Sequence, residues 1–109
     1  MWKCSACGYI HEGDDAPDKC PKCGAPKEKF EKLGDDAVKL VERSRYTNML
    51  HMNLTSLLTD MADIAEEGID DNLDANCVAL FTKAKNCSQM LLSSVHAELA
   101  GHMKKGKWG

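Results

Sequence analysis

Residues 4–23 read CSACGYIHEGDDAPDKCPKC and carry two C-x2-C pairs separated by twelve residues. Each pair places two sulfur atoms on one tight turn, from which both can reach the same ion. Two such turns that face each other supply four sulfurs in a tetrahedron, an arrangement typical of zinc and of iron–sulfur centres. We therefore predict one metal ion bound by the thiolates of Cys4, Cys7, Cys20 and Cys23.

A glycine follows the second cysteine of each pair, at Gly8 and Gly24. Glycine tolerates positive φ, which curls the chain so that backbone N–H groups point towards the sulfurs. Hydrogen bonds of that kind stabilise thiolate charge and help to set a reduction potential. The alternative, four unrelated buried or reactive cysteines, does not account for this repeated pattern.

The bulk composition excludes several classes of protein. The chain has 109 residues, of which 43% are hydrophobic and 28% charged, as expected of a folded, water-soluble protein. A formal net charge of −3 argues against a broadly basic nucleic-acid binder. No apolar run reaches the ~18 residues of a membrane span, and the first residues show no apolar signal region. Six cysteines without an export signal favour metal or redox sites in a reducing cytoplasm.

The cysteine pairs lie in a first segment, residues 1–33, that holds all three prolines and no long periodic apolar pattern. Chains below ~40 residues usually need a metal, a disulfide or a partner, because they bury too little apolar surface to fold alone. We predict that this segment folds around the metal as a small zinc-ribbon-like β module. Residues 34–109 then form a separate, all-α part.

This second part has the pattern of two helices. Asp35 is a plausible N-cap for the first helix, which is predicted to stop at Gly68. Asp70 or Asp71 then caps a second helix that extends towards His102. Because the link is short, we expect an antiparallel helical hairpin.

Apolar residues recur on both helices at spacings of three and four, which predicts the contact line of packed helices. The predicted contact residues are Leu50, Leu54, Leu57, Met61 and Ile64, and then Leu73, Cys77, Leu80, Ala84, Cys87, Leu91, Val95 and Leu99. A flanking set comprises Leu58, Ala62, Ala65, Val78, Phe81 and Leu92. Two helices cannot cover stripes this wide, so we predict that two chains pair their hairpins into a four-helix bundle, a homodimer.

The segment around the cysteines resembles a known family. Residues 2–13 and 16–27, together with Phe30, are similar to the rubredoxin-like domain of rubrerythrins, including its twelve-residue spacer. The resemblance covers about the first third of the chain. It implies one mononuclear iron per chain, bound by the four thiolates and cycling between ferric and ferrous states. It also implies an apolar shell of Trp2, Tyr9, Ile10 and Phe30, and a redox partner protein that exchanges electrons with the iron.

The identity of the metal stays open at this point, because thiolate tetrahedra accept zinc and iron alike. The resemblance favours iron and therefore a small electron-transfer protein. The alternative is a structural zinc ribbon that acts as an interaction or scaffold module through its hairpin. A closed set of four protein ligands leaves no position for a substrate, so we expect no catalytic residue and no enzyme activity.

Rubrerythrins also contain a di-iron four-helix bundle built on Glu-x-x-His motifs, and this chain departs from that pattern. The residues three positions before His51, His96 and His102 are Asn48, Ser93 and Leu99. None of them is a carboxylate, so the di-iron activity is not transferred to this chain.

Three other residues of the helices could carry chemistry. Cys77 and Cys87 fall on the predicted contact line, where cysteine usually packs as a small hydrophobe. The alternative is a disulfide or redox role across a dimer. His102 lies four residues after Glu98 on one helix face, and we expect this to be a solvated helix end; the alternative is a second metal site.

Overall fold

The computed structural model describes all 109 residues. Its elements are strands β1 (Trp2–Cys4), β2 (Ile10–His11) and β3 (Phe30–Lys32), a short 3-10 helix at Lys27–Lys29, and helices α1 (Asp35–Asp71) and α2 (Ala75–Lys104). The predicted class, a small β module followed by an antiparallel helical hairpin, is confirmed. Neither helix combines the length and the apolar character that a membrane span requires.

The chain divides into two compact units. The first comprises Met1–Arg45 with Lys105–Gly109, and the second comprises Tyr46–Lys104. The unit that contains the cysteine pairs therefore extends beyond residue 33, because the start of α1 and the last five residues of the chain also belong to it.

A three-stranded antiparallel sheet organises the first unit, with β1 between β2 and β3. In this register Cys4 lies opposite Phe30. The buried core is formed by Cys4, Ala16, Cys20 and Phe30, and the half-buried Trp2 and Tyr9 pack against it. Two of the predicted metal ligands are therefore the centre of the hydrophobic core, as a segment this short requires.

Ile10, the fourth residue of the predicted apolar shell, lies elsewhere in the first unit. It lines a small cavity with Leu33, Val41 and Trp108, and an added Cβ at Gly109 would touch its side chain. Trp2, Tyr9 and Phe30 do surround the cysteines, so the shell is made of three of the four predicted residues.

The boundary between the two helices differs from the prediction. α1 continues through Gly68 to Asp71, and Asn72, with a φ of 50°, takes the left-handed conformation that ends it. Gly68 is needed for packing, because a Cβ there would collide with the ring of Phe81 on α2. Asp74, rather than Asp70 or Asp71, caps α2: its Oδ1 accepts a 2.7 Å hydrogen bond from the Cys77 backbone N–H.

The contact line of the hairpin differs from the prediction over most of its length, where the flanking set is the one that packs, whereas Val95 and Leu99 lie on the contact line as predicted. Leu58, Ala65, Ser88 and Val95 are buried, whereas Leu57 and Leu80 are each 66% exposed. The contact line follows a heptad spacing through Asn48, His51, Thr55, Leu58, Ala62, Ala65 and Ile69 on α1, and through Val78, Phe81, Lys85, Ser88, Leu92, Val95, Leu99 and His102 on α2. Both stripes have the same period, so the sequence pattern could not say which of them faces the other helix.

Candidate metal centre

Each C-x2-C pair forms the same tight turn. The Gly8 N–H donates to the Cys4 carbonyl at 2.8 Å, and the Gly24 N–H donates to the Cys20 carbonyl at 2.9 Å. The φ angles of these glycines are 79° and 77°, as predicted from their positions. An added Cβ at either position would meet nothing within 4 Å. Glycine is therefore required by the backbone conformation and not by lack of space.

The four predicted ligands come together. Their Sγ atoms all lie within 4.8 Å of one another. The Cys4 and Cys23 sulfurs are 3.8 Å apart, and the Cys7 and Cys20 sulfurs are 3.6 Å apart. A tetrahedron with metal–sulfur bonds of about 2.3 Å has edges of about 3.8 Å, so the cluster has the size of a four-thiolate metal site.

The charge balance of the cluster also calls for a cation. The Tyr9 backbone N–H lowers the pKa of the Cys7 thiol, but burial and the three neighbouring sulfurs outweigh it and raise this pKa to about 12. Burial alone would raise the pKa of Cys20, yet the backbone N–H groups of Cys23 and Lys22 lower it to about 7. Four thiolates cannot ionise together in so small a volume unless a positive ion neutralises them.

The four sulfurs differ in their access to solvent. Cys4 and Cys20 are 0% and 3% exposed, whereas Cys7 is half-buried and Cys23 is exposed. One edge of the cluster is thus sealed by the core of the module and the opposite edge reaches the surface. A bound ion would be shielded from water on one side and close to the protein surface on the other.

The spacer and the first cysteine pair are held by contacts that the sequence analysis missed. The Asp15 carboxylate accepts hydrogen bonds from the Ala16 N–H and from Lys27 Nζ, both at 2.8 Å. The Ser5 hydroxyl donates to the Lys29 carbonyl at 2.9 Å. Aspartate before a turn is a known signal, but its partner twelve residues away could not be chosen among the many lysines of the segment.

The second unit contains a separate cluster of polar side chains around His102. His102 is buried rather than solvated, so the expectation of a solvated helix end is wrong. Its Nδ1 lies 2.6 Å from Asn48 Oδ1 and its Nε2 lies 3.2 Å from Glu98 Oε1. The ring of His51 meets it edge-on. Asn48 was missed because its pairing depends on the register of the two helices.

The remaining two cysteines are not joined to each other or to any other cysteine. Cys77 is half-buried near the start of α2, and Cys87 is exposed, so only the first is packed as the sequence pattern predicted. The hydrogen bond from its thiol to the Asp74 carboxylate, together with burial, raises the pKa of Cys77. Such a thiol is a poor nucleophile at neutral pH.

Comparison with known proteins shows which family the first segment is similar to. Residues 2–31 match the family model described as "Rubrerythrin, rubredoxin-like domain". The first third of the chain is similar to this domain. The resemblance predicted from the cysteine spacing is therefore confirmed, and it is confined to the part of the chain that holds the four sulfurs.

Individual relatives match over the same short region. Reverse rubrerythrin-1 of Clostridium acetobutylicum is 57% identical over 35 residues, which is 32% of this chain and 19% of the relative. Rubrerythrin of Nitratidesulfovibrio vulgaris is 58% identical over 33 residues, 30% of this chain and 17% of the relative. Rubrerythrin of Clostridium perfringens is 55% identical over 31 residues, 28% of this chain and 16% of the relative.

These matches span less than a fifth of the length of the relatives, so their whole-protein activity is not established for this chain. No solved structure matches the chain.

Proposed function

We propose that this protein is a small electron carrier whose redox centre is one iron ion bound by Cys4, Cys7, Cys20 and Cys23. The proposal rests on one observation above all. The distances between the four sulfurs match those of a metal–thiolate tetrahedron, and the segment that holds them is similar to the rubredoxin-like domain of rubrerythrins. Iron in such a cage supplies a one-electron couple.

The residues of the module suit electron transfer better than bond-making chemistry. Four cysteine ligands complete a tetrahedron, so no position is left for a substrate or for an activated water. Trp2, Tyr9 and Phe30 pack around the sulfurs and hold the ligand geometry in a rigid core. The N–H groups that point at Cys7 and Cys20 stabilise the thiolate charge. On these grounds we propose a carrier and not an enzyme.

The exposed edge of the cluster gives a route for the electron. Cys23 reaches solvent and Cys7 is partly exposed, while the sulfurs of Cys4 and Cys20 are buried. A redox partner protein that docks over Cys7 and Cys23 would come within a few bond lengths of the ion. We propose that donor and acceptor both use this edge, in a cytoplasmic setting where the thiols stay reduced.

The visible spectrum of untagged protein from its natural source tests the proposal. Ferric iron in a four-thiolate cage is red, and its charge-transfer bands should bleach reversibly with one electron per chain in a reductive titration. Metal analysis of the same sample should give one iron per chain. A colourless protein with one zinc per chain would overturn the proposal in favour of a structural zinc ribbon, a scaffold or interaction module.

Two cysteine variants locate the centre. Cys23→Ser replaces one ligand by an oxygen donor and should shift or abolish the visible bands. Cys77→Ser makes the same change in the hairpin and should leave the spectrum as it is. Equal spectra for Cys23→Ser and the unchanged protein would contradict the assignment of the ligands.

A further inference from the structure

The hairpin unit has one broad apolar face that none of its own residues covers. On α1 this face consists of Leu50, Leu54, Leu57, Met61 and Ile64, and on α2 of Leu73, Cys77, Leu80, Ala84, Cys87 and Leu91. The eight Leu, Met and Ile side chains among them are between 39% and 75% exposed. We refer to these eleven positions as the apolar face.

The position of the apolar face follows from helical geometry. Successive residues turn by about 100°, and the stripe lies roughly 110° around the axis from the contact line of the hairpin on α1 and roughly 80° on α2. Two contact lines about a quarter-turn apart are what a helix of a four-helix bundle needs, because it packs against two neighbours. Within one chain each helix has only one neighbour.

Both stripes lie on the same side of the hairpin. A groove on the opposite side is lined by Thr59 of α1 and His96 of α2, which flank the contact line there. In an antiparallel pair the residues that flank the line on the other side of each helix also share one face. Leu54 and Met61 of α1 and Leu91 of α2 are such residues, so the two stripes form a single surface.

The two sides of the hairpin differ sharply in chemistry. The side around Thr59 carries Ser56, Asp63, Glu66, Thr82, Asn86, Gln89, Ser93 and His96, with methionines at its end at Met49, Met52 and Met103. None of the eleven positions of the apolar face holds a charge, an amide or a hydroxyl group. A partner on this face would therefore bury no unpaired charge.

We propose that a second copy of this chain covers the apolar face, so that two hairpins form a four-helix bundle through a two-fold interface. At roughly 100 Å² for a fully buried aliphatic side chain, the eight large residues expose on the order of 500 Å². That is in the upper part of the roughly 300–600 Å² range for the largest apolar patch of a typical monomer, a size that often marks a functional surface. It is also more than half of the ~800 Å² that each partner contributes to a stable interface.

A second copy fits this surface better than other occupants. A two-fold interface sets the same patch against itself, so it needs no charge complementarity, and this patch offers none. The occupant must also present two antiparallel helices with stripes at the same spacing of three and four residues. Every copy of this chain carries such a surface. The inference does not depend on the metal or on electron transfer.

Sedimentation equilibrium of the full chain with its metal tests the inference. The unchanged protein should have twice the 12.0 kDa mass of one chain. Leu57→Asp and Leu80→Asp place a charge at side chains that are 66% exposed in one chain, and each should weaken self-association at least 100-fold. Met90→Asp is the matched control, since Met90 is 61% exposed but lies outside the apolar face. It should leave the mass at two chains.

A monomeric mass for the unchanged protein at high concentration would overturn the inference, as would equal dissociation by Met90→Asp. Binding of the monomer to phosphatidylcholine vesicles in a flotation assay would assign the face to membranes instead. If the two aspartate variants fail to fold, the thermal midpoint of the unchanged protein decides. It should rise with protein concentration for a dimer, and a constant midpoint would refute the proposal.

Discussion

The two units of this protein reach a fixed structure by opposite means. The first unit has a core cluster of four buried residues, two of which are predicted metal ligands, and we expect its order to depend on the four sulfur atoms that come together there. The second contains most of α1 and all of α2, which pack against each other along a repeated spacing. The first should therefore lose its structure all at once, and the second should tolerate local changes.

The largest expected effect is the loss of a metal ligand. Cys20→Ser removes a buried sulfur from a site whose binding free energy is on the order of 10 kcal/mol, so the first unit should unfold. Helical circular dichroism should stay largely intact, because most helical residues lie in the other unit. Two-dimensional NMR would show the loss of dispersed signals from the first unit, Met1–Arg45 and Lys105–Gly109, only.

Cys87→Ser is the control for this change, because it replaces an exposed thiol of the hairpin and should leave both units folded. Loss of the helical signal together with the metal in Cys20→Ser would mean that the two units fold as one.

The pH dependence of metal affinity should also distinguish the first unit, which binds the ion, from the hairpin, which does not. The ion binds thiolates, so every thiol that is protonated in the free protein must release a proton. Cys7, with a pKa of about 12, releases one throughout the neutral range. Cys20, with a pKa of about 7, releases one only below that pH. The affinity should therefore fall more steeply with decreasing pH below about 7, by a further tenfold per pH unit.

A chelator competition series between pH 5 and pH 9 measures this dependence. The logarithm of the affinity should bend near pH 7 when plotted against pH. The control is the helical stability of the full chain over the same pH range, because the hairpin holds none of the four ligands. A straight line through the whole range would contradict the different ionisation of the two sulfurs.

A smaller effect is expected at the contact line of the hairpin. Gly68→Ala adds a Cβ that would meet the ring of Phe81, so the helices must move apart. Overpacking of this kind costs about 1–3 kcal/mol, partly offset by up to ~1 kcal/mol from the better helix propensity of alanine. Urea unfolding followed by circular dichroism should show a net loss of stability.

Gly101→Ala is the matched change, since a Cβ there meets nothing within 4 Å. It should stabilise α2 by up to ~1 kcal/mol. The visible spectrum should be the same for both variants. A stabilised Gly68→Ala would show that Gly68 is not a packing residue.

The smallest expected effect concerns the start of α2. Asp74→Ala removes the hydrogen bond to the Cys77 N–H and should cost about 1 kcal/mol in urea unfolding. This N–H lowers the pKa of Asp74, so the contribution should be present at neutral pH and lost as pH falls through that pKa. Asp70→Ala, at a helical position, should change stability by less than ~0.5 kcal/mol. Equal effects of the two variants would contradict the observed cap.

The sequence determined the metal ligands because their chemistry is local. Two sulfurs three residues apart on a turn, each pair followed by glycine, allow one arrangement around one ion, and the structure has it. The spacing of apolar residues likewise determined that two helices would pack as a hairpin.

Only the tertiary structure decided which stripe of each helix packs inside the hairpin, that Gly68 accommodates Phe81, and that His102 pairs with Asn48. Two stripes with the same period are equivalent along the chain, and a contact between residues 54 positions apart depends on the register between helices. That register is set by how side chains from both helices fit together, which no single stretch of sequence contains.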